Sequence, residues 1–273
     1  VILQEGGKQV KLPTLGIFRI KEAIPKCVAQ TYTVSKRGDK YFVAFTVNAE
    51  LIPPIQPKIF EPIGLDVNLT DGKYCVLSDG TEITYPKPLK AAITKLKKFQ
   101  FHNRNKQTGD RRKGIPASNN ARKYYASLAK LQKKVADRRN DFLQKLTTNL
   151  AKKYRHLKVE TLNRQGMLAN HKLAFHLADA SFYKFKSLLE VKAMSHGGIV
   201  ESVDMWYPSS KLSSQCQQKK TDLKLSDRIF HCSSGCKPIC RDLNSSINLA
   251  NAPEDIIVNK IGSVRSEFTL ADK

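Results

Sequence analysis

Ile63-Gly64-Leu65-Asp66-Val67-Asn68-Leu69 is an apolar run with a carboxylate at its centre. An ionised carboxylate in an apolar strand is costly unless it is paired or binds a metal, so Asp66 marks a place where something must hold it. Downstream lie Lys73–Ser78 and Thr81–Thr84, set off by Asp71-Gly72 and Asp79-Gly80. Both dipeptides are strong hairpin signals, so the three segments read as an antiparallel meander.

Two basic stretches follow, about Leu89–Lys106 and Ser118–Tyr154, broken by Thr108-Gly-Asp-Arg-Arg-Lys-Gly-Ile-Pro116, which is too rich in Gly, Pro and charge to be helical. They read as an antiparallel helical hairpin. His156-Leu-Lys-Val-Glu-Thr161 is a fourth strand, and Leu173–His196 is an amphipathic helix with Leu173, Leu177, Phe182, Phe185 and Leu189 at helical spacing, ended by Gly197-Gly198. Ile199–Asp204 is a fifth strand and about Asp242–Asn251 a last short helix; the tail beyond Pro253 shows no pattern. Three antiparallel strands, then strand, helix and strand, is the order of an RNase H-like mixed sheet, so the expected fold class is α/β.

Upstream, Ile17–Ile20, Ala29–Ser35 and Tyr41–Asn48 read as strands, the last two joined by Lys36-Arg-Gly-Asp39. Tyr41-Phe-Val-Ala-Phe-Thr-Val47 alternates as a half-buried antiparallel strand does. Leu51–Pro62 holds four prolines and reads as a linker with a domain boundary. The expected organisation is a small β module over 1–52, a linker over 53–62, an RNase H-like core over 63–205 that includes the basic hairpin 87–155, a cysteine-bearing insertion over 206–241, a last core segment over 242–253 and a tail over 254–273.

The chain has 47 Lys and Arg against 24 Asp and Glu, a net charge of +23. That excess goes far beyond what solubility needs and points to a polyanion, with nucleic acid first among the choices. Between Thr84 and Arg155 there are 21 basic residues against Asp110, Asp137 and Asp141. The nucleic-acid contacts are expected from Lys95, Lys97, Lys98, Arg104, Arg111, Arg112, Lys113, Arg122, Lys123, Lys133, Lys134, Arg138 and Arg139; the plainer reading of such a run is a solvated helix face, which usually mixes both signs. No stretch approaches the roughly 18 uncharged apolar residues of a membrane helix, and no signal peptide is recognisable. The expected setting is cytoplasmic, with the nucleic acid. The chain opens Val-Ile-Leu-Gln-Glu without Met and reads as a fragment of something longer.

Glu160 ends Leu157-Lys-Val-Glu in the same kind of apolar setting as Asp66, and Asp242 follows Arg241 where a helix starts. Singly, each has a structural reading, a strand-end residue for Glu160 and a helix N-cap for Asp242. As a trio, Asp66, Glu160 and Asp242 suit Mg²⁺ or Mn²⁺, hard cations that take oxygen ligands and in pairs promote phosphodiester hydrolysis. Their oxygens are expected within about one coordination sphere of each other.

Cys27 and Cys75 stand alone in strand-like contexts and read as small buried hydrophobes. Cys216, Cys232, Cys236 and Cys240 fall within 25 residues, which without a secretory signal suggests a metal site rather than disulfides.

With those residues in view, the chain resembles the TnpB (OrfB) proteins of bacterial insertion sequences, long called transposases and related to type V CRISPR effectors. Gly64-Leu-Asp-Val-Asn-Leu-Thr70 with Val76-Leu-Ser-Asp-Gly80 resembles the family's first RuvC segment, and Val159-Glu-Thr-Leu-Asn163 with Gly166-Met-Leu168 and Asn170-His-Lys-Leu173 the second. Asp204-Met-Trp-Tyr-Pro-Ser-Ser-Lys211 resembles the entry to its zinc ribbon, and Arg241-Asp-Leu-Asn-Ser-Ser-Ile-Asn248 its third RuvC segment. The resemblance runs from about Lys11 to Pro253. It implies that Asp66, Glu160 and Asp242 are the catalytic carboxylates of a metal-dependent DNA endonuclease directed by a guide RNA, and that the β module is part of a wedge domain. It also implies a longer N-terminal region than this sequence contains. The family's two Cys-x-x-Cys pairs bind Zn²⁺ through four thiolates. Here Ser213 stands at the first position, Cys216 at the second and Cys232 at the third, while Gly235 replaces the fourth with Cys236 one place late. Either Cys216, Cys232 and Cys236 bind zinc with Cys240 or His231 as the fourth ligand, or the ribbon is degenerate and binds nothing. The rival to the nuclease is a nuclease-inactive basic DNA- or RNA-binding protein, or a decayed fragment of such a nuclease.

Overall fold

The computed structural model describes residues 2–3, 8–22, 27–37, 40–46, 57–68, 72–110, 112–162, 179–224 and 226–262. Two units divide the chain, one comprising Val1–Pro53 with Lys106–Lys133, the other Pro54–Asn105 with Lys134–Lys273.

The first unit is built from antiparallel pairs: β1 (Ile2–Leu3) with β4 (Cys27–Val28), β2 (Gln9–Leu12) with β3 (Gly16–Arg19), and β5 (Thr31–Arg37) with β6 (Lys40–Thr46). Alternation along these strands turns Val10, Leu12, Ala29, Ile20, Tyr32, Val43 and Phe45 into one small apolar cluster. The pairs β1, β2 and β4 extend beyond the strands legible in the sequence.

The second unit holds a six-stranded mixed sheet in the order β14-β11-β10-β7-β8-β9. Its first three strands, β7 (Ile63–Val67), β8 (Lys73–Leu77) and β9 (Glu82–Thr84), are the meander turned by Asp79-Gly80, with Gly80 at φ 84°. The helices α1 (Pro88–His102) and α2 (Asn119–Lys153) come next, and then β10 (His156–Glu160) returns parallel to β7. Between β10 and β11 (Ile199–Val203), also parallel, runs α3 (Phe182–Ser195), the kind of crossover that a parallel pair requires. Leu173 and Leu177, assigned to that helix from sequence, lie outside the described residues. Short β12 (Ile229–Phe230) and β13 (Ile239–Cys240) pair with each other, and α4 (Arg241–Ala250) follows.

A tail without a legible pattern is expected beyond Pro253, yet Ile257–Ile261 forms β14, antiparallel to β11 at the sheet edge. Only its end residues are half-buried while the middle three are exposed, so periodicity had little to report. Its place is set by backbone pairing and by Lys260, whose ammonium lies 2.6 Å from the fully buried Glu201 carboxylate.

One face of the sheet carries Ile63, Leu65, Leu157, Val159 and Val200 against Leu143, Leu146 and Leu150 of α2 and Phe185 and Leu189 of α3. Cys75 is fully buried in the same core, while nothing is described of the Cys27 side chain. No described helix is long and apolar enough to cross a membrane. The other face is polar along one row, and it determines where α4 sits.

Candidate active site

Register puts Asp66 and Glu160 side by side. Lys158 pairs with Gly64 and Val159 with Leu65 across the parallel β7–β10 interface, so the next residue on each strand, Asp66 and Glu160, emerges at the same sheet end and on the same face. Gly64 shares that face, and α4 lies directly on it. A Cβ at Gly64 would collide with the Ser246 carbonyl oxygen and come 2.5 Å from the Ala250 nitrogen and 2.9 Å from Leu249 Cβ. Only a residue without a side chain lets the helix approach so closely.

Lys158, buried on the same face, donates from Nζ to the Ala252 carbonyl at 2.6 Å, just past the C-terminus of α4, where a cation suits the helix dipole. The opposite end of α4 therefore reaches the end of β7. Asp242, in its first turn and 7% exposed, meets the positive end of the dipole. Asn68 Nδ2 donates to Asp242 Oδ2 at 2.5 Å, and the Ser245 hydroxyl, one turn into the helix, hydrogen-bonds Asp66. Asn68 and Ser245 were not singled out from the sequence, although Asn68 lies two residues past Asp66 on one strand face and Ser245 three past Asp242 on one helix face. Those spacings are the available signal.

Burial pushes the Asp66 carboxyl well above the ordinary aspartate range, and the charges of Glu160 and Asp242 push it further; the Ser245 hydrogen bond and Arg241 only partly offset this. Burial also raises the Glu160 carboxyl. Asp66 and Glu160 thus sit where negative charge is held at a cost. The oxygens of the three acids are more widely spread than the sequence led us to expect, because among the described residues only a cysteine cluster brings all its ligand atoms within 4.8 Å of one another.

That cysteine cluster is Cys216, Cys232 and Cys236, with Cys216 Sγ 3.4 Å from Cys232 Sγ. The backbone N–H of Ser234 holds the Cys232 thiol down at about 6, while the adjoining Cys216 and Cys232 push Cys236 up to about 11. Ser213, 2% exposed, accepts the Gln215 and Cys216 N–H groups at 3.3 and 3.4 Å and lies close enough to Cys232 and Cys236 to lower both thiols. Cys240 is not a member of the cluster: it ends β13, paired with Ile229. His231 is not a member either. The one-residue shift that brings Cys236 into the cluster is absorbed by Gly235 at φ 79°. The insertion is fixed to α4, since Asn244 Nδ2 donates to the Leu212 carbonyl at 2.6 Å and Asn248 Nδ2 to those of Ser209 and Leu212 at 2.7 Å.

Of the basic residues, Lys95, Lys97, Lys98, Arg104, Lys134 and Arg138 are exposed in the second unit, and Arg112, Lys113, Arg122 and Lys123 in the first. Arg104 stacks on Phe101 at 3.9 Å, and Lys133 lies 5.8 Å from the Phe42 ring. Arg111 is outside the described residues. Arg139 differs from its expected role: it lies 3.2 Å from the buried Asp179 carboxylate, which also accepts the Leu89 and Lys90 N–H groups at the start of α1. A buried acid needs that partner, so Arg139 is a structural cation here.

Residues 46–171 match the family described as "Probable transposase" (OrfB_IS605), and residues 182–249 match "Cas12f1-like, TNB domain". A protein of Streptomyces pristinaespiralis named "Putative RNA-guided DNA endonuclease" is 31% identical over 81% of this chain and 52% of its own length. "Putative RNA-guided DNA endonuclease InsQ" of Escherichia coli (strain K12) is 24% identical over 94% of this chain and 65% of its own. The chain thus spans half to two thirds of the length of these curated relatives. In fold it is similar to the protein in a Cas12f1-sgRNA-target DNA complex, with TM-score 0.55 and 16% identity, over 81% of this chain and 45% of that one. The sheet is thus of the RuvC, RNase H-like kind.

Proposed function

Over residues 46–249 the chain belongs with the TnpB (OrfB) transposase-type proteins, and on that premise we propose that it is a divalent-metal-dependent DNA endonuclease whose metal ligands are Asp66, Glu160 and Asp242. The observation that carries the reading is the convergence of three acids, from two parallel strands and a helix N-terminus, into one site where Asp66 is strongly disfavoured as an anion. An all-oxygen donor set fits Mg²⁺ or Mn²⁺, and the spread of the acids suits two ions better than one. Such ions, when bound, would polarise the scissile phosphate and make water a nucleophile at neutral pH. The protein's own part is positional. Asn68 fixes the Asp242 carboxylate, Ser245 orients Asp66, and Gly64 and Lys158 hold α4 against the sheet. The exposed lysines and arginines of α1 and α2 are the surface we assign to the phosphate backbone of DNA, so binding should weaken steeply with salt. Guide RNA is the partner in the relatives' names, and the β module is the part we assign to it.

The test is cleavage of plasmid and oligonucleotide DNA with Mg²⁺ or Mn²⁺. Cutting in either metal, stopped by EDTA and restored by excess metal, is the expected result. Binding at low salt without cutting in either metal would replace the nuclease with a basic nucleic-acid-binding protein.

For the cysteines, three thiolates fit a soft divalent ion such as Zn²⁺, and we assign the fourth ligand position to the neighbouring Ser213 hydroxyl. A neutral hydroxyl is a poor substitute for a thiolate. Ser213→Cys is therefore expected to tighten zinc binding, read as slower release of zinc to a chromogenic chelator. Equal release from both forms would mean that the cluster is not a zinc site.

A further inference from the structure

Trp206 is the only tryptophan in the chain, and it is 81% exposed. Indoles are on average well buried, because most of their large surface is apolar. A loose loop does not account for this one. Asp204 N–H donates to the Ile256 carbonyl at 2.9 Å, Trp206 N–H to Asp204 Oδ1 at 2.7 Å, and Tyr207 N–H to the Asp204 carbonyl at 3.1 Å. The Tyr207 hydroxyl donates to the Asn248 carbonyl of α4 at 3.3 Å, and its side chain packs against the cluster of Val203, Leu249 and Ala252. Of two consecutive aromatics on a pinned loop, one is turned into the protein and the other out of it.

The position of that loop gives the outward ring a use. Val203, the last residue of β11, pairs with Glu160, the last residue of β10. Trp206 follows three residues later, so its loop leaves the same end of the sheet as Asp66 and Glu160, one strand (about 4.8 Å) over from Glu160 and two from Asp66. A flat apolar face held in solvent beside a site for phosphodiesters, on a chain of charge +23, is complementary to an exposed nucleobase. Bases within a duplex have both faces covered by their neighbours. The matching occupant is therefore a base of a single strand.

We propose that Trp206 is a stacking platform that seats a base of single-stranded DNA next to the Asp66–Glu160–Asp242 site. It positions the strand and takes no part in bond breaking. The proposal rests on the nuclease reading for the identity of that strand.

The experiment uses the emission of this single indole, with EDTA present so that nothing is cut. An oligo-dT strand labelled with fluorescein reports binding independently by anisotropy. Quenching of Trp206 that saturates together with the anisotropy is expected. Trp206→Ala should weaken single-strand binding about 5- to 150-fold, the range for loss of one stacked base. Trp206→Phe should recover much of that loss, and the salt dependence should not change, because no phosphate contact is removed. A protein that quenches with DNA but never cuts in Mg²⁺ or Mn²⁺ counts against the nuclease reading alone. Unchanged emission at saturating DNA overturns the proposal. So does equal single-strand affinity in Trp206→Ala, quenching by RNA but not DNA, or emission that shifts with protein concentration alone, which would give the indole to a second copy of the chain. Failure of every strand to bind removes it as well.

Discussion

Asp66→Asn is expected to abolish DNA cleavage and, at pH 7, to raise the melting temperature of the metal-free protein. The loss should be about a thousandfold or more, the scale on which removal of one preorganised electrostatic group slows an enzyme. The gain in stability follows from the raised carboxyl. Burial comes first among its causes and the charges of Glu160 and Asp242 next. The folded chain therefore keeps the Asp66 proton to a higher pH than the unfolded chain does. Between the ordinary value of 3.8 and the raised one, the folded state binds more protons than the unfolded, so stability falls as pH rises. Asparagine removes the ionisation and with it the fall. The stabilisation should be absent at pH 3 and grow through the window above pH 4. Mg²⁺ should raise the melting temperature of the original chain and leave that of the variant nearly unmoved. A variant that still cuts at the original rate, or that melts lower at pH 7, would show that Asp66 is a structural partner and not a ligand.

Gly64→Ala should cost about 3 kcal/mol, the upper end for overpacking, or roughly 6–12 °C in melting temperature for a domain of this size. The added methyl meets backbone, which has no rotamer with which to yield: the Ser246 carbonyl oxygen, the Ala250 nitrogen at 2.5 Å and Leu249 Cβ at 2.9 Å. Relief requires α4 to move off β7, carrying Asp242 away from Asp66 and Glu160 and straining the 2.6 Å bond from Lys158 to Ala252. Cleavage measured well below the new melting temperature should fall with it, since misplacing a reacting group by about 1 Å can cost a hundredfold. Circular dichroism melts and cleavage at 20 °C separate the two effects. Unchanged values in both would mean that the helix does not press on Gly64 as the structure has it.

Much of the sheet is legible in the residues because local chemistry decides it. Asp79-Gly80 turns a hairpin whatever surrounds it, and the apolar runs around Asp66 and Glu160 are strands of a buried sheet. The prolines ahead of Ile63 and the basic run of α1 and α2 are equally local features. What escaped depends on partners distant in sequence. β14 has little apolar signal and exists because β11 offers an edge and Glu201 a buried charge for Lys260. Arg139 looks like its basic neighbours until the buried Asp179 is brought beside it. Cys240 belongs with the other cysteines by spacing, but β13 pairing takes it out of their cluster.

Asp66, Glu160 and Asp242 could be named from the sequence because each is an acid where an acid is costly or conspicuous. Their meeting could not be read there, because it depends on two things that only the fold supplies. The first is the parallel register that sets Asp66 beside Glu160. The second is the close packing of α4 on Gly64, which sets Asp242 against both. A glycine has no side chain with which to announce what it must admit, and the long-range contact that makes it necessary exists only once the helix has docked.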